Sequence, residues 1–129
     1  MGFSAGGELA ALAAMRFGPA GPTAPGLIDR QDDKPDFQVL MYPGNISRFE
    51  VTKNSPPVFI AGGNDDRPDI SEGIAQLYLK YKQAQIPAEL HVYAKVGHGF
   101  GMRPGNTGAV TQWPQQVMLW LQDIGFLRN

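Results

Sequence analysis

The stretch Pro57-Val58-Phe59-Ile60-Ala61-Gly62-Gly63 does most to narrow what this chain can become. It is apolar at successive positions rather than alternate ones, and glycines close it. A strand apolar on both faces must be covered on both, which is the condition of a parallel sheet with helices above and below. Asp36-Phe37-Gln38-Val39-Leu40-Met41-Tyr42-Pro43 reads as a second strand, stopped by Pro43-Gly44, and Ala88 to Ala94 as a third. Between them Ile70, Ile74, Leu77, Tyr78 and Tyr81 recur at helical spacing, with Asp69 and Glu72 placed as a capping box. A last helix carries Pro114 in its first turn and Val110, Trp113, Val117, Trp120 and Ile124 on one face. The alanine-rich run from Glu8 to Phe17 is apolar nearly all round and predicts a helix packed on both sides, broken at Gly18-Pro19. Residues 18–36 read as a long loop and 44–56 as irregular. The order helix, strand, strand, helix, strand, helix predicts an α/β fold: a parallel sheet with helices on both faces. In such sheets the chemistry sits in loops at the carboxyl ends of the strands.

Composition removes several classes. The 129 residues make one domain, with one core. Eleven basic against twelve acidic residues give a net charge of −1, which offers no electrostatic case for nucleic acid or an anionic membrane. No apolar run approaches the ~18 residues of a membrane-spanning helix. With no cysteine and two histidines, neither a disulfide nor a structural zinc site is expected. Nothing in the chain fixes a compartment, and no targeting segment precedes the first helix.

Three places at strand ends or elbows could do chemistry. Gly2-Phe3-Ser4-Ala5-Gly6 fits G-x-S-x-G, in which a sharp strand-to-helix turn holds a serine in a strained backbone position. The helix start then offers the Ala5 N–H to an oxyanion formed at that serine. The plain structural alternative is that Ser4 is simply the helix N-cap. His98, between Gly97 and Gly99, could serve as the base a serine nucleophile needs; its alternative is an exposed loop histidine. Asp65 and Asp66 follow the central strand, where a carboxylate can orient an imidazole or merely make a turn. His91, alternating with Glu89 and Tyr93 in mid-strand, reads as structural. The order Ser4, Asp65, His98 is the order of α/β-hydrolases.

These residues carry a resemblance. Gly2-Phe3-Ser4-Ala5-Gly6-Gly7, Tyr42-Pro43-Gly44, Pro57-Val58-Phe59-Ile60, Asn64-Asp65-Asp66 and Gly97-His98-Gly99-Phe100-Gly101 together resemble the C-terminal portion of carbohydrate acetylesterase and acetylxylan-esterase-like enzymes, the dienelactone-hydrolase-related α/β-hydrolases. The resemblance runs over nearly the whole chain and makes residues 1–129 a partial α/β-hydrolase domain, from nucleophile elbow to C-terminus. It implies Ser4 as nucleophile, His98 as general base and Asp65 as the acid, with Asp66 second choice. It also implies no cofactor, no metal, and a small-molecule or carbohydrate ester as substrate. Ala61-Gly62-Gly63 stands where the family has a His-Gly pair, and Arg67-Pro68 where it has Val-Pro.

A full domain of this family runs to roughly 200–250 residues, with strands and a second oxyanion donor ahead of the serine. The expectation is therefore a fragment whose missing N-terminal half would be its partner. In it the strand at 37–42 would be left as an unpaired edge. Two alternatives stand beside ester hydrolysis: a prolyl-oligopeptidase-type serine peptidase, which shares this catalytic half, and a fold half inactive without its complement. A phosphate-binding reading of the glycine-rich start lacks the lysine and the preceding strand it would need.

Overall fold

The computed structural model describes residues 1–16 and 33–128. Four strands form one sheet in the order β1 (Gly2–Phe3), β2 (Gln38–Met41), β3 (Val58–Gly63), β4 (Ala88–Tyr93), every pair parallel. Helix α1 (Ala5–Ala14) follows β1, α2 (Pro68–Gln83) joins β3 to β4, and α3 (Trp113–Asp123) closes the chain. Short 3-10 turns lie at Ile46–Arg48 and Gly108–Gln112. Most of the loop read at 18–36, and Phe17 of the first helix, fall outside the described residues.

The pleat sorts the core into two layers. Val39, Met41, Phe59 and Ala61 point to one face and pack with Val117, Trp120 and Leu121 of α3. Leu40, Val58 and Ile60 point to the other and meet Ala11 of α1 with Ile74, Leu77 and Tyr81 of α2. All four side chains from Val58 to Ala61 are fully buried, so β3 is the central strand covered on both sides that its sequence demanded.

Several expectations need correction. The strand at 37–42 is not an unpaired edge: Gly2 and Phe3 pair with Leu40 and Met41, and the Ser4 N–H donates to Met41 O at 2.9 Å. Two residues suffice because they add to a sheet already formed. Helix α1 is not packed on both sides. It buries Gly7, Ala11 and Ala14, while Leu9 is 69% exposed, because among the described residues only one of its faces meets the sheet. The Asp69–Glu72 capping box does not form. Pro68 is already the first helical residue, so Asp69 lies inside the first turn and its carboxylate instead takes the Arg67 guanidinium at 3.1 Å through both oxygens. That bond and the adjacent positive charge hold the Asp69 carboxyl below its ordinary range.

No helix of the described residues is long and apolar enough to cross a membrane. On the α2 side, Gln38 Nε2 donates to the Tyr81 hydroxyl at 2.8 Å. Burial pushes Tyr81 up to about 12, outweighing that hydrogen bond. A phenol raised in the folded state holds its stability below its ordinary value near 10 and loses it as pH climbs toward 12. The melting temperature should therefore fall between pH 10 and pH 12, and Tyr81→Phe should flatten that fall. Parallel curves for the two proteins would contradict the assignment.

Candidate active site

The site is assembled at the carboxyl ends of β1, β3 and β4. Gly2 lies under the first turn of α1, where an added Cβ would overlap the Gly6 carbonyl. Gly7 approaches Gly2 O and Pro43 Cβ, each 3.2 Å from where its own Cβ would be, whereas Gly6 faces open space. The close approach thus rests on Gly2 and Gly7. The chain then reverses through Ser4, which sits at φ 52°, ψ −121°. Such a backbone costs a non-glycine residue about 1–3 kcal/mol, and the bond from Ser4 N to Met41 O helps to hold it.

That strain decides what the hydroxyl can do. Ser4 occupies the N-cap position of α1, yet its side chain makes no capping bond. Its Oγ lies instead 2.7 Å from His98 Nε2. Ser4 thus stands at the N-cap without capping, and His98 is not an unattached loop histidine. Ala5 is the first residue of α1, so its N–H has no acceptor within the helix and stands beside the serine.

His98 is carried on the loop after β4. Its side chain is 38% exposed, and its Nδ1 lies 2.8 Å from Asp66 Oδ2. The Asp66 side chain is fully buried, and its other oxygen accepts the Arg67 N–H at 2.8 Å. An ionised carboxylate only accepts, so Nδ1 carries the proton; Nε2 is then the acceptor and the Ser4 hydroxyl the donor. An arrangement of this kind, hydroxyl to imidazole and imidazole to a buried carboxylate, can activate a serine.

Asp65 does not enter this line. It is exposed, and its Oδ1 accepts from Asn64 Nδ2 at 2.9 Å. The reason is the turn after β3. Asn64 N donates to Tyr93 O, Asp65 N to Val96 O and Asp66 N to Gly63 O, which directs Asp65 outward and Asp66 beneath the imidazole. Two adjacent aspartates give no sequence signal for which one turns in. Gly63 sets the depth of this turn, because a Cβ there would overlap the Val96 carbonyl.

His91 is separate from the site. It stacks on Phe59 at 5.0 Å and bonds Glu89 at 2.6 Å, the structural role read for it. Tyr93, on the same strand, has its phenol pushed up to about 12, by burial first and then by Glu89. A cavity of about 370 Å³ adjoins His98, lined in part by Lys95, Phe100, Arg103, Asn106 and Thr107. Among the described residues no three histidine or acidic side chains are grouped to hold a metal ion.

Tyr42 was read only as part of the Tyr42-Pro43-Gly44 motif, with no role at the site. Its buried ring packs edge-to-face on His98 at 5.0 Å. The only signal for it is an aromatic residue at the carboxyl end of a strand, just before Pro43-Gly44.

Residues 1–124 match the dienelactone hydrolase family. The chain is similar to the acetyl ester-xyloside bifunctional hydrolase from Caldicellulosiruptor lactoaceticus, at 26% identity and TM-score 0.86, covering 98% of this chain and 56% of that one. It shares its fold with a thermophilic esterase from the Planctomycetes species Thermogutta terrifontis, at 23% identity and TM-score 0.75, over 99% of this chain and 56% of the other. A carboxylesterase from Lactobacillus plantarum does likewise, at 23% identity and TM-score 0.71, over 99% and 58%. The chain therefore spans little more than half the length of the solved structures it matches. No curated protein sequence matches it at a significant level.

The assignment of the buried acid is open to a direct test. An imidazole N–H bonded to a carboxylate gives a low-field proton resonance. That resonance should be present in the native chain and in Asp65→Asn, and absent in Asp66→Asn. Its loss in Asp65→Asn with retention in Asp66→Asn would reverse the assignment.

Proposed function

The chain belongs to the dienelactone hydrolase family, and from that premise and the line Ser4–His98–Asp66 we propose that it carries the catalytic half of a serine carboxylic ester hydrolase. The single observation behind this reading is the pair of short contacts at His98, 2.7 Å to Ser4 Oγ and 2.8 Å to Asp66 Oδ2. His98 Nε2 takes the Ser4 proton as Oγ attacks the acyl carbon. The Ala5 N–H faces the developing oxyanion, where such a donor is worth most because it is already oriented. Asp66, buried and held by the Arg67 N–H, keeps the imidazole in the correct tautomer and stabilises the imidazolium. His98 then protonates the departing alcohol, and water, deprotonated by the same nitrogen, releases the acid from Ser4.

The substrate class we propose is a short-chain, chiefly acetyl, ester of a carbohydrate. The similarity to an acetyl ester-xyloside hydrolase favours that choice over a longer acyl group. The test is hydrolysis of an activated acetyl ester and of acetylated xylan by this chain, alone and joined to the preceding segment of a related hydrolase. Ser4→Ala should abolish the activity and Asp66→Asn should lower it by about a hundredfold or more. Undiminished turnover in Ser4→Ala would overturn the proposal.

A further inference from the structure

We propose that Tyr42 is the positioning residue for His98, an inference that rests on the Ser4–His98–Asp66 reading and deepens it. The two atoms that bracket the imidazole, Ser4 Oγ and Asp66 Oδ2, fix its two nitrogens, and its Cβ fixes the ring plane only as firmly as the loop backbone is held. That backbone needs a support, because His98 lies on an exposed loop between two glycines and is itself 38% exposed. Tyr42 is placed to do this. Its ring meets the imidazole at 5.0 Å with an interplanar angle of 69°.

The phenol is itself firmly seated. It packs against Phe100 at 4.7 Å, two residues beyond His98, and against Phe3 at 6.0 Å, the residue before Ser4. Its hydroxyl lies against the Gly101 backbone. One buried ring therefore touches the residue that precedes the nucleophile, the base, and the loop that carries the base. Its backbone is held in an unfavourable state to reach that position, with φ 39° immediately before a proline. The bond from Tyr42 N to Ala61 O at 2.6 Å continues the β2–β3 ladder one residue past β2 and locks it there.

The chemistry agrees with the geometry. Burial raises the phenol above its ordinary value, so the group beside His98 is a neutral aromatic ring at neutral pH. The face of such a ring tolerates an imidazolium better than aliphatic carbon does. The positioning role belongs to the ring; the hydroxyl is secondary. Tyr42→Phe should then behave as the native protein and Tyr42→Leu should not.

The test uses the whole chain with two readouts: the low-field Nδ1 proton of His98, and the rate at which a fluorophosphonate labels Ser4. In Tyr42→Phe the proton signal should persist and labelling should stay within about threefold of native. In Tyr42→Leu the signal should broaden or vanish and labelling should slow by about ten- to a hundredfold, the scale expected when a catalytic group is misplaced. Val39→Ala, a core truncation of the same strand away from the loop, controls for a general loss of stability and should keep the signal. Should Tyr42→Leu not fold, Tyr42→Met takes its place. In the native chain, nuclear Overhauser contacts between the Tyr42 ring protons and the His98 imidazole must also be seen. Native behaviour of the leucine or methionine variant, or absence of those contacts, overturns the inference. A native chain that shows the proton but is never labelled would count against ester hydrolysis and leave the positioning role standing.

Discussion

The site depends on one place where two backbones come closer than any side chain would permit. At the end of β3 the carbonyl of Val96 occupies the space a Cβ on Gly63 would need. This lets the loop after β4 fold back over the end of the central strand and tie to it, through Asn64 N to Tyr93 O and Asp65 N to Val96 O. His98 rides on that loop and Asp66 on that turn, so their 2.8 Å contact follows from backbone packing before either side chain contributes. A methyl group at residue 63 would push the two apart.

Around this point the sheet ladders extend one residue beyond the strands into conformations that side chains normally avoid. Ser4 at φ 52° is held by Met41 O, and Tyr42 at φ 39° by Ala61 O. Each strained residue follows a strand whose register is fixed by buried, alternating side chains such as Leu40, Met41, Ile60 and Ala61. Slipping one residue would exchange the side chains packed against α3 with those packed against α1 and α2, two layers of different shape, so close packing holds the register and the strain is retained. The rigid core thus sets the geometry of the hydroxyl, the imidazole and the ring beside it.

Much of this was legible in the residues. Val58 to Gly63, apolar on both faces, required a covered parallel strand, and the spacing of Ile70, Ile74, Leu77 and Tyr81 required an amphipathic helix. Ser4 and His98 were readable because glycines on both sides mark turns that lift a side chain clear of the sheet. What could not be read was set by tertiary geometry. The choice between Asp65 and Asp66 depends on hydrogen bonds to Tyr93 and Val96, some thirty residues away. Gly2-Phe3 is too short to show a strand pattern and becomes one only because β2 offers a ready edge. Tyr42 was legible as the end of a strand and part of the Tyr42-Pro43-Gly44 motif, but its place beside His98 exists only once three strand ends converge.

We propose that His98, over a buried carboxylate, activates Ser4 within this chain by itself. The most direct measurement is peptide mapping by mass spectrometry after treatment with a serine-directed phosphonate. One adduct per chain is expected, located on Ser4, with Ser47, Ser55 and Ser71 unmodified. An unmodified chain, or an adduct spread over the other serines, would contradict it.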